Sequence, residues 1–293
     1  MLITVSSVRG APGVTSLALL LASAWPDHGV HRVMVEADCA GGVVGARYQL
    51  GVDPGAVALI SACGRRTADP DPATVGRPLA DGVWAVPGPE VAGPASAAWT
   101  AGAAEVAARL AADPGVWIMD TGRLGPTSPT WPLAAFAVAR LVVTRARLED
   151  LVQVPERVGM LRALAGEEGP TGVVVMGSTA HPLDDLARFF TTDRVWLVPN
   201  PANLATVAFA AATGRGRARR GALWRAVVDL ADGLAAALTM PAPTPSARAD
   251  TNPPPVPFPE PVADEIRWSV SGPAVRPSPG LATGPAAGWG PSA

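Results

Sequence analysis

The chain of 293 residues reads as a doubly wound α/β domain. Its mostly parallel sheet is flanked by helices, and a disordered, Pro-rich tail follows. Three observations carry this reading. Short runs of consecutive apolar residues alternate with Ala- and Leu-rich stretches, the pattern of strands covered on both faces and joined by helices. The first such run leads directly into a glycine turn and a helix start, Gly10 to Ser16. Near residue 240 the composition changes: positions 241–293 contain 14 prolines in 53 residues, among them Pro253-Pro254-Pro255. Proline removes a backbone donor and fixes φ, so such a segment cannot assemble a core.

The elements follow in order. Strands are expected at Leu2–Val8, Arg32–Ala37, Gly82–Val86, Val116–Asp120, Arg140–Arg145, Gly172–Met176 and Arg194–Val198. Helices are expected at Thr15–Ala24, Ser96–Ala112, Leu148–Ala165, Pro182–Phe190 and Ala202–Ala212, with a closing helix near Ala222–Leu238. Residues 1–240 thus form one domain and 241–293 a tail. Within the tail, Val262–Val270 is an apolar island, read equally well as a docking motif or an incidental patch. Truncation after Met240 is expected to leave the melting temperature nearly unchanged, because almost no core area is lost. A thermal melt of the shortened chain checks this, and a drop of many degrees would place the boundary elsewhere.

Composition excludes several functions. Apolar residues make up 48% of the chain, enough for a large core, and the net charge of −2 argues against a strongly basic nucleic-acid binder. All 23 basic residues are arginine. Schiff-base chemistry, catalytic ammonium groups and the ordinary phosphate-loop lysine are therefore ruled out. Cys39 and Cys63 are too few for a disulfide framework and fit a reducing cytoplasm. No apolar run approaches the ~18 residues of a membrane span. A secretion signal, with Arg9 before Leu17–Ala22 and an Ala22-Ser23-Ala24 cleavage site, is set aside. Leu2–Val8 reads as a strand, and Gly10–Gly13 as a turn that a signal does not need. The expected location is the cytoplasm, with peripheral attachment at the membrane or a pole left open.

In sheets of this class ligands bind at the carboxyl ends of the strands. After the first strand comes Val8-Arg9-Gly10-Ala11-Pro12-Gly13-Val14-Thr15-Ser16. Strand, glycine turn and helix start form a cradle whose amides and helix dipole face an anion. Gly10 and Gly13 permit the tight turn and close backbone approach. A standard phosphate loop has lysine just before Thr15; this chain has Val14. The second strand ends in Glu36-Ala37-Asp38, with both carboxylates on one side. Asp38 is placed either to polarise a water or to cap a loop. Asp120, after four apolar residues, stands where an acid can hold Mg²⁺.

These motifs resemble the MinD/ParA group of P-loop ATPases, which includes the CpaE/TadZ proteins of pilus assembly. The group's deviant Walker A motif, K-G-G-x-G-K-[ST], corresponds to Arg9-Gly10-Ala11-Pro12-Gly13-Val14-Thr15. Its VLLVDADPAGG strand corresponds to Val33–Gly42, and its VIIDTG to Ile118–Gly122. Leu141–Leu151 and Leu197–Arg215 are similar to two later segments of the group. An actinobacterial branch reading KGSPGVTT is especially similar. The resemblance spans residues 1–240 and implies ATP and Mg²⁺ as cofactors. It assigns Gly10 and Gly13 to the phosphate loop, Arg9 to the position that reaches a dimer partner's phosphate, and Ser16 to the α-phosphate. It assigns Thr15 and Asp120 to Mg²⁺, and Asp38 to the attacking water. The chain departs from the pattern at Val14, at Glu36 for the usual Asp, at Met176-Gly177-Ser178 where an adenine-reading Asn is usual, and at Asn200 for Asp.

The expected function is therefore a positioning or adaptor protein of pilus, secretion or partition machinery, a weak ATPase or pseudo-ATPase. The alternative is an active, ATP-dependent dimerising switch that hydrolyses with Asp38, acting as a DNA-binding chromosome or plasmid partition factor. Implied partners are proteins of such machinery, a second copy as a homodimer, and DNA. Arg215, Arg217, Arg219 and Arg220, with Arg225 near them, are the candidate phosphate or DNA contacts; a solvated face is the simpler reading. His28, His31 and His181 show no ligand or triad spacing.

Overall fold

A computed structural model describes residues 1–10, 12–65, 70–165, 169–192 and 194–239. The Pro-rich segment and Val262–Val270 lie outside them. Among the described residues the strands are β1 Leu2–Ser7, β2 Arg32–Glu36, β3 Arg77–Pro78, β4 Val83–Val86, β5 Val116–Arg123, β6 Ala139–Arg145, β7 Thr171–Met176 and β8 Val195–Val198. The helices are α1 Val14–Ala24, α2 Val44–Tyr48, α3 Ala56–Arg65, α4 Pro72–Val75, α5 Ala92–Ala112, α6 Trp131–Phe136, α7 Leu148–Leu151, α8 Val154–Ala165, α9 Leu183–Phe190, α10 Leu204–Ala212 and α11 Ala222–Thr239.

The strands form one sheet in the order β3-β4-β2-β5-β1-β6-β7-β8. Every pairing is parallel except that of β3 with β4. Side chains alternate between faces with a period of two, and here both faces are apolar. Ile3, Val5, Met34, Ile118, Leu141 and Val174 point into a core with α1, α10 and α11. Leu2, Val33, Val35, Trp117 and Met119 point into a second core with α3 and α5. Val142, Val173 and Val175 meet α8 and α9 in a third cluster. This double coverage is why the strands read as unbroken apolar runs, and the expected doubly wound class is the one observed.

The central order β2-β5-β1 matters for function. It brings the carboxyl ends of the three strands that carry Glu36, Asp120 and the glycine loop side by side. Glu36 lies opposite Asp120 in the β2–β5 register, and Val5 lies opposite Asp120 in the β1–β5 register.

Candidate functional site

The loop after β1 is shaped by one residue. Gly13 caps α1 with φ 107° and ψ 24°, a left-handed conformation that only glycine adopts without strain. Its carbonyl accepts from Leu17 N at 2.9 Å, opening the helix. A Cβ on Gly13 would lie 2.9 Å from Leu204 Cδ2, so α10 presses directly on the loop. Gly10 has nothing within 4 Å of where its Cβ would be and faces open space. Val14, 5% exposed, is buried in the same apolar core as Met176 and Leu204. Val14 stands just before Thr15, where a standard phosphate loop has its lysine. Ser16 is buried and Thr15 half-buried.

Asp120 is wholly buried. Its Oδ1 accepts from Gly122 N at 2.9 Å, while Oδ2 has no hydrogen-bond partner. Burial pushes this carboxyl up to about 7. The nearby Thr15 hydroxyl and Gly122 N favour its charged form, and the charges of Glu36 and Asp38 oppose it. The orphaned oxygen beside a helix-start threonine fits a divalent cation, which would neutralise the carboxylate and brace an anionic ligand. Among the described residues no three His, Cys, Asp or Glu side chains group to hold a metal by themselves. A cation here needs ligand oxygens as well as Thr15 and Asp120.

Glu36 has a structural role that its place in the sequence does not reveal. Its Oε1 accepts from Val43 N at 2.6 Å and Val44 N at 3.0 Å, and Oε2 from Gly88 N at 3.0 Å. Burial raises its pKa, and these three amides counter the rise. The carboxylate ties the loop after β2 to the loop after β4, which commits both of its oxygens. A Cβ on Gly42 would meet Glu36 Oε2 at 2.3 Å, so the loop closes over the acid because that residue is glycine.

Asp38 is half-buried, and its Oδ1 accepts from Ala40 N at 2.8 Å. It rests on Gly122, which has φ 57°; a Cβ there would lie 2.1 Å from Asp38 Cγ. Burial raises the Asp38 pKa. Thr15, Glu36 and Asp38 thus all lie close enough to Asp120 to act on its charge, beside the glycine loop.

Arg9 turns away from that point. Its Nη1 donates to Glu149 O at 3.3 Å, and its Nε lies 4.0 Å from Asp150 Oδ1 on α7. With the side chain 48% exposed, the ion pair is worth little and leaves Arg9 able to reorient. The candidate DNA contacts divide. Arg215, Arg217 and Arg220 are exposed. Arg219 is instead spent inside the chain, donating to Asp81 Oδ2 at 2.8 Å and Ala211 O at 2.9 Å and lying over the Trp224 ring.

An open, mainly apolar cleft of ≈ 660 Å³ lies past the carboxyl ends of β7 and β8, against the start of α11. Ser178 and Asn200 supply its polar side chains, with Leu197, Pro199, Leu223 and Ala226 around them. Met176, which ends β7, packs against the glycine loop: the Cβ position of Gly13 is 3.5 Å from its Cε.

No protein-family model matches the chain, and no curated protein matches it. Among the described residues no helix is long and apolar enough to cross a membrane. Solved structures do match. The ParA family ATPase of Chlorobium tepidum TLS superposes with a TM-score of 0.62 at 14% identity, over 78% of this chain and 96% of that one. The septum site-determining protein MinD of Pyrococcus horikoshii OT3, complexed with Mg-ADP, gives 0.61 at 15% identity, over 79% and 94%. An ATP complex of McdA from Cyanothece gives 0.56 at 18% identity, over 79% and 96%. The chain has the fold of the MinD and ParA P-loop ATPases, as its strand-end motifs led us to expect.

Proposed function

We propose that this chain is a positioning or adaptor protein of the MinD/ParA type that keeps the phosphate-loop scaffold but binds nucleotide weakly and hydrolyses it poorly. One observation carries the reading: Val14, which stands where the resemblance expects the phosphate-contacting lysine, is buried among apolar side chains next to a left-handed Gly13 that opens the helix. The loop keeps its amides and helix dipole, which attract an anion, and loses the mobile charge that would follow phosphate through a reaction. Two charge-assisted contacts at roughly 1.5–3 kcal/mol each are missing, which weakens ATP by about 10²–10⁴-fold.

The remaining residues have assignable tasks. Thr15 and Asp120 hold Mg²⁺, Ser16 supports the α-phosphate, and Asp38 on its Gly122 seat orients water if hydrolysis occurs. Likeness in fold to the Mg-ADP and ATP complexes supports these cofactors, and likeness to the MinC:MinD complex of Aquifex aeolicus supports a protein partner. The machinery served is pilus assembly or secretion of the CpaE/TadZ kind, or partition. An active switch is favoured by a separate observation, the orphaned Asp120 Oδ2 beside Thr15, which would suit a divalent cation. A DNA contact now rests on Arg215, Arg217 and Arg220.

Titration calorimetry of the full chain with ATP and Mg²⁺ separates the two. We expect a dissociation constant near or above the millimolar range. A low-micromolar constant would overturn the adaptor reading and show that Arg9 leaves Asp150 to supply the missing charge.

A further inference from the structure

Two features meet at the amino end of α11. The first is positive charge. Arg215, Arg217 and Arg220 lead into the helix, Arg225 lies in its first turn, and all four are exposed. Among the described residues none of the four is in an ion pair. Asp81 is already taken by Arg219 at 2.8 Å. Arg225 Nη1 donates to Arg220 O at 3.1 Å, which holds it against the helix start. Such charge does nothing for the helix itself. Cations at an amino end oppose the helix dipole, and the first turn of α11 holds no acid. Asp229 and Asp232 come one and two turns later, so the positive charge is confined to this end.

The second feature is the cleft of ≈ 660 Å³ past β7 and β8. Ala222, Leu223 and Ala226 of the same helix start line it, together with Leu197 and Pro199. Arg220 is two positions before Ala222, and Arg225 stands directly before Ala226. The arginines therefore border the apolar lining. A polyanion with nothing apolar would leave that lining wet, and an uncharged apolar ligand would leave the arginines unpaired. A ligand that uses both has an apolar anchor with carboxylates beside it.

We propose that this cleft and its arginine lip dock an acidic segment of a partner protein, with a bulky apolar side chain in the cleft and carboxylates on Arg220 and Arg225. The planar guanidinium pairs with a carboxylate through two parallel hydrogen bonds. An apolar anchor in a pocket with charges around it is a recurring way to hold a peptide. Duplex DNA offers phosphates to the same arginines but keeps its bases stacked away from the cleft, so the cleft favours the protein segment. Such docking rests on the adaptor reading for its purpose. It needs no nucleotide, so the ATP titration and a peptide-binding assay fail separately.

The test is fluorescence polarisation of a labelled short peptide, glutamates around a central Leu-Trp pair, titrated with the full chain. The peptide should bind, and less tightly as salt rises. Replacing its Leu-Trp pair by Ala-Ala should weaken binding by about 10–100-fold, and replacing its glutamates by glutamines by about tenfold. On the protein, Arg217→Ala, Arg220→Ala and Arg225→Ala combined should weaken it about tenfold. Leu197→Asp, which puts a carboxylate at the cleft, should do at least as much. All these positions are exposed, so both variants should keep the fold, which circular dichroism verifies. No binding of the acidic peptide at low salt would overturn the proposal. So would binding that ignores both the Leu-Trp pair and Leu197→Asp, since the cleft would then have no part in it. Labelled duplex DNA that binds more tightly than the peptide, and is lost with the same three arginines, would overturn it too and assign the lip to nucleic acid.

Discussion

Asp120→Asn should make the folded chain markedly less sensitive to pH. The Asp120 carboxyl titrates at about 7 when folded and near 3.9 when unfolded. Between those values the unfolded chain has released a proton that the folded chain still holds. Stability therefore falls as pH rises from about 4 to 7 and is level above that window. The loss from this one group is about 4 kcal/mol. Asn cannot ionise, so the variant should gain stability of that order at pH 7 and show a flatter profile. Glu36 and Asp38, also raised by burial, leave a smaller slope of the same sign. Urea unfolding across the pH range measures this, and parallel profiles for the two proteins would mean that Asp120 is already relieved of its charge penalty. The same variant should lose any Mg²⁺-dependent part of nucleotide binding, since it removes the anionic oxygen that a cation would neutralise.

Val14→Lys is the second large effect we expect. Restoring an ammonium beside the loop should tighten Mg-ATP binding by about 10²–10⁴-fold, the inverse of the loss argued above. The substitution has a cost without ligand, because position 14 is buried in an apolar core and lysine there must reach outward past Met176 and Leu204 or shed its charge. The variant should thus melt below the wild type alone and gain more from Mg-ATP. Calorimetry with circular dichroism as a folding check reads both effects. A folded variant that binds ATP as weakly as its parent would shift the blame from the missing charge to the apolar packing around Gly13.

The fold was legible because its signals are local. Seven of the eight strands announce themselves as apolar runs, since both faces of the sheet are covered. β3 is only two residues long and contains Pro78, so it has no periodicity to detect. The helix expected over 148–165 is divided into α7 and α8, with Pro155 in the first turn of the second, where proline is tolerated. α5 begins at Ala92, earlier than expected, with Pro94 likewise in its first turn. The helices α2, α3, α4 and α6 have no counterpart among the expected elements, and all but α3 are only 4 to 6 residues long, too short for a helical period to show.

Around the candidate site, the glycine turn and the acid near the end of β5 stand out in the sequence because each is a local pattern, glycines directly after an apolar run and Asp120 after four apolar residues. The role of Glu36 does not, because its donors Val43, Val44 and Gly88 are 7, 8 and 52 positions away. The cleft beside α11 was invisible for a similar reason, because its lining joins Ser178, Leu197 and Leu223 from three separate segments. Arg219 shows the reverse case, an apparent member of a basic cluster whose charge is claimed by Asp81 from 138 positions away.

The two margins of the sheet are unequal in a way that bears on self-association. β3 offers two residues, one of them a proline with no amide hydrogen, so a foreign strand finds almost no ladder to extend on that side. The opposite margin, β8, has four residues, no proline and an exposed Leu197. Crowded or partly opened chains would therefore recruit strands asymmetrically. Fibril-like growth, if provoked, would start from the β8 margin, and a charge placed at Leu197 is where a gatekeeper against it belongs.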